Sequence, residues 1–166
     1  MERVRTTRRG ALVAAAAVAL PLAIGAVSAL LSADVMGRFG SMNQPPLSPP
    51  AWLFPVAWTI LYVLMGLASY LLYVARPMTE EVRKLRTRAL VLYAAQLVLN
   101  FVWTPIFFNG GLYYVAFVIL VGMWVLIAAL MATAVKVDRR ATFLLIPYLV
   151  WTTFAGYLNI MIALLN

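Results

Sequence analysis

Five long apolar stretches decide what this sequence can fold into. Each is long enough to cross a hydrocarbon core of about 30 Å as an α-helix that rises about 1.5 Å per residue. With 65% hydrophobic and 11% charged residues, the chain has too little polar surface to cover a soluble globule. We therefore predict an all-α integral membrane protein, a bundle of five transmembrane helices in one domain over residues 1–166. The predicted spans are 10–32, 51–75, 86–108, 111–135 and 141–165.

The basic residues lie almost entirely on one side of this five-span arrangement. Twelve of the 13 Lys and Arg residues flank the first span or lie in the second-to-third and fourth-to-fifth loops, whereas Arg38 falls on the other side. The positive-inside rule places the basic side in the cytoplasm. We therefore predict a cytoplasmic N-terminus and a C-terminus on the opposite side of a bacterial plasma membrane. Short basic clusters between apolar runs also argue against binding of nucleic acid.

The N-terminal segment allows a second interpretation. An Arg-rich start, an Ala/Leu core and the small residues Ser32 and Ala33 are also typical of a cleaved secretory signal. The apolar run is long for a signal, and its removal would leave four spans. A mass measurement showing loss of about the first 33 residues would exclude the five-span prediction.

The first loop, Ala33–Pro50, is the only long connection between the predicted spans. It contains the run Pro45-Pro46-Leu47-Ser48-Pro49-Pro50. Proline lacks an N–H donor and holds φ near about −65°, so this segment is predicted to be an extended or turning cap. The second span should begin just after Pro50.

The sequence lacks the residue types on which most enzymes and pumps depend. It contains no Cys and no His, which excludes thiolate and imidazole chemistry and metal ligation through those groups. We therefore predict no metal site, and no acid–base pair or proton relay is visible within the membrane. The five acidic residues map to termini, loops or helix ends: Glu2, Asp34, Glu80, Glu81 and Asp138.

Aromatic and uncharged polar side chains recur at helical spacing in three spans. Buried amides in lipid need partners, so Gln96 and Asn100 should face the bundle interior, which could hold a ligand. The three stripes are Trp58, Tyr62, Met65 and Ser69 on the second span; Gln96, Asn100, Trp103 and Thr104 on the third; and Tyr148, Thr152, Ala155 and Asn159, with Trp151 beside them, on the fifth.

Structural interpretations of the same residues stay open. An amide within a span commonly bonds to a neighbouring helix, which would account for Gln96, Asn100 and Asn159. Tryptophans near span ends, such as Trp52 and Trp124, could belong to an interfacial aromatic belt. That explanation suits the deeper tryptophans less well, namely Trp58, Trp103 and Trp151.

Three segments carry recognisable motifs in a fixed order. They are Pro49–Tyr62 (PPAWLFPVAWTILY), Tyr93–Phe108 (YAAQLVLNFVWTPIFF) and Pro147–Asn159 (PYLVWTTFAGYLN). Together with the five-span pattern they resemble the translocator protein family, also called tryptophan-rich sensory proteins or peripheral-type benzodiazepine receptors. The resemblance covers nearly the whole chain from the first helix to the end, and the chain is identified as a member on this basis.

The resemblance implies a five-helix bundle, often dimeric, with a central pocket beneath the first loop. Such pockets take up tetrapyrroles such as protoporphyrin IX, and no cofactor is required. Bacterial members are reported to promote light-dependent porphyrin breakdown, which makes Trp58 and Trp151 candidate catalytic residues. With the stripes, the resemblance predicts a loop lid of Pro49, Pro50 and Trp52 and these ligand-binding residues: Trp58, Tyr62, Gln96, Asn100, Trp103, Tyr148, Trp151, Ala155 and Leu158.

Two positions depart from the family pattern. Leu47 stands where the family commonly has a tryptophan two residues before the Pro-Pro pair, which puts a stacking contribution of the first loop in doubt. Residues Tyr157–Asn166 contain no Lys or Arg, so the sterol-recognition stretch of animal members is incomplete. We expect a tetrapyrrole-binding receptor or carrier with a regulatory role. The alternatives are a porphyrin-degrading enzyme and a lipid- or sterol-binding protein or scaffold without catalysis.

Overall fold

The part of the chain that this computed structural model describes contains six α-helices. The structure describes residues 2–32, 34–76 and 79–166, and the side chains within these ranges from Arg8 onward except that of Met36. Within these ranges there is no β-strand, and every helix but α2 is long and apolar enough to cross a membrane, as the sequence predicts. The helices are α1 (Glu2–Leu31), α2 (Val35–Ser41), α3 (Leu53–Val74), α4 (Glu80–Phe108), α5 (Tyr113–Ala134) and α6 (Arg139–Leu165).

Two helices extend beyond the apolar stretches that predicted them. The third spanning helix, α4, begins at Glu80, because the Thr79 hydroxyl accepts a hydrogen bond from the Val82 amide at 3.3 Å and caps its first turn. Acidic residues at Glu80 and Glu81 also suit the positive end of the helix dipole. The first helix likewise begins at Glu2. Hydropathy therefore marks the membrane portion of these helices, and in α4 the cap at Thr79 sets where the helix begins.

The first loop contains a short helix that the prediction of an extended or turning cap did not include. Asp34 precedes α2 with φ 43°, and its carboxylate accepts a hydrogen bond from the Gly37 amide at 3.0 Å. The proline run follows α2 and is not helical, in keeping with the missing N–H groups. Ala33, the first residue of this loop and the proposed signal cleavage point, lies outside the described residues.

The five long helices form a closed ring in which chain neighbours are not always spatial neighbours. Going round the ring, α1 packs on α3, α3 on α6, α6 on α5, α5 on α4, and α4 again on α1. One end of the bundle, the loop end, carries the first loop and the α4–α5 turn. The other, the basic end, carries the α3–α4 and α5–α6 connections.

A tight contact joins α1 to α3 at Gly66. A Cβ atom added there would lie 2.5 Å from Cα of Val18 and 2.7 Å from the carbonyl oxygen of Ala17, both backbone atoms of α1. Small residues at helix interfaces allow this kind of backbone approach in membranes. The main core lies between α3, α4, α5 and α6 and includes the buried residues Met65, Leu72, Met123, Leu130, Leu145 and Tyr148.

Candidate functional site

A cavity of about 630 Å³ opens near the loop end, between α1, α3 and α4 and beneath α2. Its volume lies in the range of small-molecule sites, about 300–1,000 Å³, and apolar and aromatic side chains supply most of its wall. Six aromatic residues line it: Phe39, Phe54, Trp58, Tyr62, Trp103 and Phe108. We call this space the aromatic cavity.

The α1 wall of the aromatic cavity consists mostly of small residues, none of which was predicted to bind a ligand. Gly25, Ala29 and Ser32 line it and recur at positions i, i+4 and i+7 of the helix, the spacing that would have indicated a common face. Gly25 is also sterically required, because a Cβ atom there would lie 2.1 Å from Cε2 of Tyr62. Because these residues are small, α1 leaves room for the Tyr62 ring and for the cavity itself.

Trp58 joins the aromatic cavity to the core behind it. Its indole lines the cavity and stacks on the ring of Tyr62, with 5.5 Å between ring centroids and 29° between planes. The same indole meets the ring of Tyr148 edge-on at 6.2 Å. Both arrangements are the favourable ones for aromatic pairs, so this indole has a fixed orientation.

A chain of hydrogen bonds links three helices behind Tyr62. The Tyr62 hydroxyl donates to Oδ1 of Asn100 at 2.7 Å, and Nδ2 of Asn100 donates to the Tyr148 hydroxyl at 3.2 Å. The Tyr148 hydroxyl donates in turn to Oε1 of Gln96 at 2.7 Å. Gln96, Asn100 and Tyr148 are buried and do not line the cavity. Asn100 therefore has both ends of its amide engaged and bridges α3, α4 and α6.

Trp103 lines the aromatic cavity from α4 and is held in place from α6. Its Nε1 donates to Oδ1 of Asn159 at 3.1 Å, and Nδ2 of Asn159 donates to the Tyr113 carbonyl at 2.8 Å. The indole also stacks on Phe107 at 5.2 Å. Asn159 thus fixes one wall of the cavity without lining it.

The expected site residues on α6 lie outside the lining of the aromatic cavity. Trp151 meets Phe54 edge-on at 6.0 Å, and Phe54 is the residue of this pair that lines the cavity. The buried Nε1 of Trp151 has no partner among the described residues. Ala155 and Leu158 are buried in the helix packing. The structure thus brings Trp58, Tyr62 and Trp103 to the cavity and leaves Trp151 one ring away from it.

The first loop covers the aromatic cavity through α2 and the residues before α3. Phe39, Ala51 and Phe54 contribute to the lining, whereas Pro49, Pro50 and Trp52 do not. Trp52 is 61% exposed. At the position where the family commonly has tryptophan, Leu47 is 82% exposed with φ 67°. This leucine is therefore not a stacking surface for a ligand in the cavity.

Hydrogen bonds fasten the first loop to α6 and α4. Asn43 and Asn166 pair through backbone and side-chain atoms, with Asn43 N donating to Oδ1 of Asn166 at 2.9 Å and Nδ2 of Asn166 donating to the Asn43 carbonyl at 3.2 Å. The Tyr157 hydroxyl donates to the Pro46 carbonyl at 2.8 Å. The cover of the cavity is thus tied down at several points.

The aromatic cavity carries little charge. Among the lining residues that the structure describes, one is charged, Asp34, and it is exposed. The guanidinium of Arg38 donates to the carbonyl of Phe108. No group of three or more Asp, Glu, His or Cys side chains in the described ranges could hold a metal ion. The lining of the cavity is thus suited to a mostly apolar molecule.

Comparison with known proteins identifies the family. The model of the TspO/MBR family matches residues 17–165. The chain belongs to the TspO/MBR family. Similar members include a tryptophan-rich sensory protein of Cereibacter sphaeroides, 39% identical over 121 residues, which are 73% of this chain and 72% of that protein.

Other TspO/MBR relatives come from distant organisms. The tryptophan-rich protein TspO of Chlorobaculum tepidum is 35% identical over 151 residues, 90% of this chain and 92% of that protein. The translocator protein of sheep, Ovis aries, is 37% identical over 124 residues, 73% of this chain and 70% of that protein. Together with the five apolar helices, these relatives establish an integral membrane protein of the TspO/MBR family.

Proposed function

We propose that this TspO/MBR protein binds a tetrapyrrole of the protoporphyrin IX class in the aromatic cavity, as a membrane receptor or carrier with a regulatory role. The observation that carries the proposal is the cavity itself, about 630 Å³ of mostly apolar space lined by six aromatic residues. A flat macrocycle can meet the indoles of Trp58 and Trp103 face to face or edge-on. Each such contact contributes about 0.5–1.5 kcal/mol beyond burial.

The polar groups of the proposed ligand would lie away from the aromatic wall of the cavity. The Asn100 amide is occupied by Tyr62 and Tyr148, so it is not a free donor for the ligand. Asp34 would repel carboxylates, and Arg38, whose guanidinium donates to the Phe108 carbonyl, is not among the residues that line the cavity. We therefore expect the propionates to face solvent beyond the first loop while the ring lies among the aromatic side chains. A homodimer, the other expected partner, stays a prediction.

Replacing Trp58 by phenylalanine should weaken binding of protoporphyrin IX about three- to tenfold, because the substitution removes part of a stacking surface. The measurement is a titration of protoporphyrin IX into the purified protein in detergent, followed by tryptophan fluorescence. Trp124→Phe is the matched control: Trp124 lies on α5, outside the cavity lining, and its Nε1 donates to the Thr153 hydroxyl at 2.8 Å. Equal affinities of the two variants would remove Trp58 from the binding account.

A second candidate function is light-dependent porphyrin breakdown with dioxygen as the oxidant. The contact of Trp58 with both Tyr62 and Tyr148 favours it, since oxidisable rings there adjoin the cavity where the porphyrin would lie. Illumination of the loaded protein in air would then yield open-chain products, and Trp58→Phe would lower the yield per bound porphyrin. Binding without product formation would favour the receptor or carrier. The third hypothesis, a scaffold without a small ligand, would be favoured by a cavity too narrow for an aromatic ligand.

We further propose that the protein lies in the plasma membrane with its basic end in the cytoplasm. Twelve of the 13 Lys and Arg residues belong to that side of the five-span arrangement. Because the chain has no cysteine, single cysteines report orientation directly. In intact cells a membrane-impermeant maleimide should label Ser41→Cys and leave Lys136→Cys unlabelled until the cells are permeabilised. The reverse labelling pattern would overturn the orientation.

A further inference from the structure

A second cavity, of about 470 Å³, lies at the basic end of the bundle. The last turn of α3, the first turn of α4 and the α5–α6 connection surround it, so it lies at the opposite end of α3 from the aromatic cavity. We call it the basic-end cavity. Its lining combines apolar and charged side chains, among them Leu71, Val82, Arg76 and Arg140. The proposed tetrapyrrole site involves none of these residues.

The acidic residue of the basic-end cavity is already neutralised. Oδ1 of Asp138 accepts a hydrogen bond from the Arg140 backbone amide at 2.9 Å, and Oδ2 accepts one from Nη2 of Arg140 at 2.9 Å. The Arg140 side-chain hydrogen bond holds the pKa of Asp138 below its usual range, so the pair persists at neutral pH. Glu80, in the nearby first turn of α4, pairs with Arg83. Neither carboxylate therefore leaves an unpaired negative charge at the cavity.

Two guanidinium groups supply positive charge that no carboxylate balances. Arg76 lines the cavity, is exposed, and makes no ion pair or side-chain hydrogen bond within the part of the chain that the structure describes. Arg86 donates from Nη1 to the carbonyl of Ala75, another lining residue, at 3.1 Å, and its buried Nε has no partner there. The cavity thus combines an excess of positive charge with apolar walls.

We propose that the basic-end cavity binds the phosphate headgroup of an anionic phospholipid. Guanidinium groups bind phosphate oxygens through charge-assisted hydrogen bonds, and basic pockets between transmembrane helices are typical sites for acidic headgroups. The apolar residues Leu71, Val74 and Val82 would contact the glycerol backbone and the start of an acyl chain. A free phosphate ion would gain nothing from those side chains, so the mixed lining favours a lipid.

The test is a titration of a short-chain phosphatidylglycerol into the full-length protein in a zwitterionic detergent, with phosphatidylcholine and inorganic phosphate as parallel titrants. Bound lipids are counted by native mass spectrometry. A basic residue near an anionic headgroup contributes about 1 kcal/mol, which is about fivefold in affinity. Arg76→Gln should therefore weaken phosphatidylglycerol binding about fivefold, and Arg76→Gln/Arg86→Gln, which removes both unbalanced guanidinium groups, about 25-fold.

The control pair is Arg88→Gln/Arg139→Gln, which removes the same charge from the same end of the bundle but from exposed residues outside the cavity lining. It should change the affinity by no more than about twofold, since screening weakens distant charges. Arg76 makes no bond that folding requires, so a folding defect cannot account for the loss in the single variant. Equal weakening by both pairs, equal binding of phosphatidylcholine, or equally tight binding of inorganic phosphate would each overturn the proposal.

Discussion

Replacing Gly66 by alanine should lower the free energy of unfolding by about 3 kcal/mol, at the upper end of the usual cost of overpacking. The added Cβ atom would lie 2.5 Å from Cα of Val18, and backbone atoms cannot move aside as a flexible side chain can. Relief requires α1 to move away from α3, which weakens contacts along the whole interface. Since α1 also supplies a wall of the aromatic cavity, ligand affinity should fall together with stability.

Gly122→Ala is the matched control for this prediction. Gly122 lies within α5, and a Cβ atom there would be 3.5 Å from Cδ1 of Leu99, an ordinary contact. Alanine is the better helix former by about 0.5–1 kcal/mol, so this variant should be at least as stable as the original chain. The measurement is unfolding by sodium dodecyl sulfate in mixed micelles, followed by far-ultraviolet circular dichroism. Equal stabilities of the two variants would contradict the close packing of α1 on α3.

Replacing Tyr148 by phenylalanine should lower the free energy of unfolding by about 2 kcal/mol. A single hydrogen bond between membrane helices contributes only about 0.6 kcal/mol on average. This hydroxyl, however, donates to Gln96 and accepts from Asn100, so its loss leaves polar atoms of two buried amides without partners. An unsatisfied buried polar group costs about 1–3 kcal/mol, and this second effect dominates.

A second substitution separates the two contributions. Nε2 of Gln96 already has no partner among the described residues, so in Tyr148→Phe this amide would lose its bond at Oε1 as well. Adding Gln96→Leu removes the unsatisfied amide and should restore part of the stability, because replacing both partners by apolar groups is often nearly neutral. Tyr114→Phe, on an exposed tyrosine, should stay within about 0.5 kcal/mol of the original chain. If the double variant is no more stable than Tyr148→Phe, the hydrogen-bond network does not explain the lost stability.

The lengths of the apolar stretches predicted the spanning helices, because in lipid the backbone N–H and C=O groups must bond to one another, as they do in an α-helix. It did not predict where α4 begins, since the cap at Thr79 and a charged first turn carry no hydropathy signal. The short helix α2 was also missed: seven residues provide too little periodicity to distinguish a helix from a turn. What decides α2 is local, namely the hydrogen bond from the Gly37 amide to the Asp34 carboxylate.

Helical spacing predicted which residues share a face but not which residues meet across helices. Gln96 and Asn100 are buried on α4, yet their partner Tyr148 follows from the ring order, which spacing does not determine. The contribution of α1 to the cavity was not predicted for the same reason. Its small residues line a cavity only because α3 and α4 pack around them, and the sequence does not show that packing. Trp151 lies three residues after Tyr148 and meets Phe54 instead of the cavity.

The ring order also constrains how the protein can be assembled during synthesis. When α4 leaves the ribosome, Asn100 can already meet Tyr62 of α3, but Tyr148 belongs to the last helix. Gln96 must therefore enter the membrane before its hydrogen-bond donor exists. Insertion of α6 completes both the ring and this polar network in one event. A nascent chain that stalls before α6 would hold the Gln96 amide within the membrane without the Tyr148 hydroxyl that pairs with it in the finished bundle.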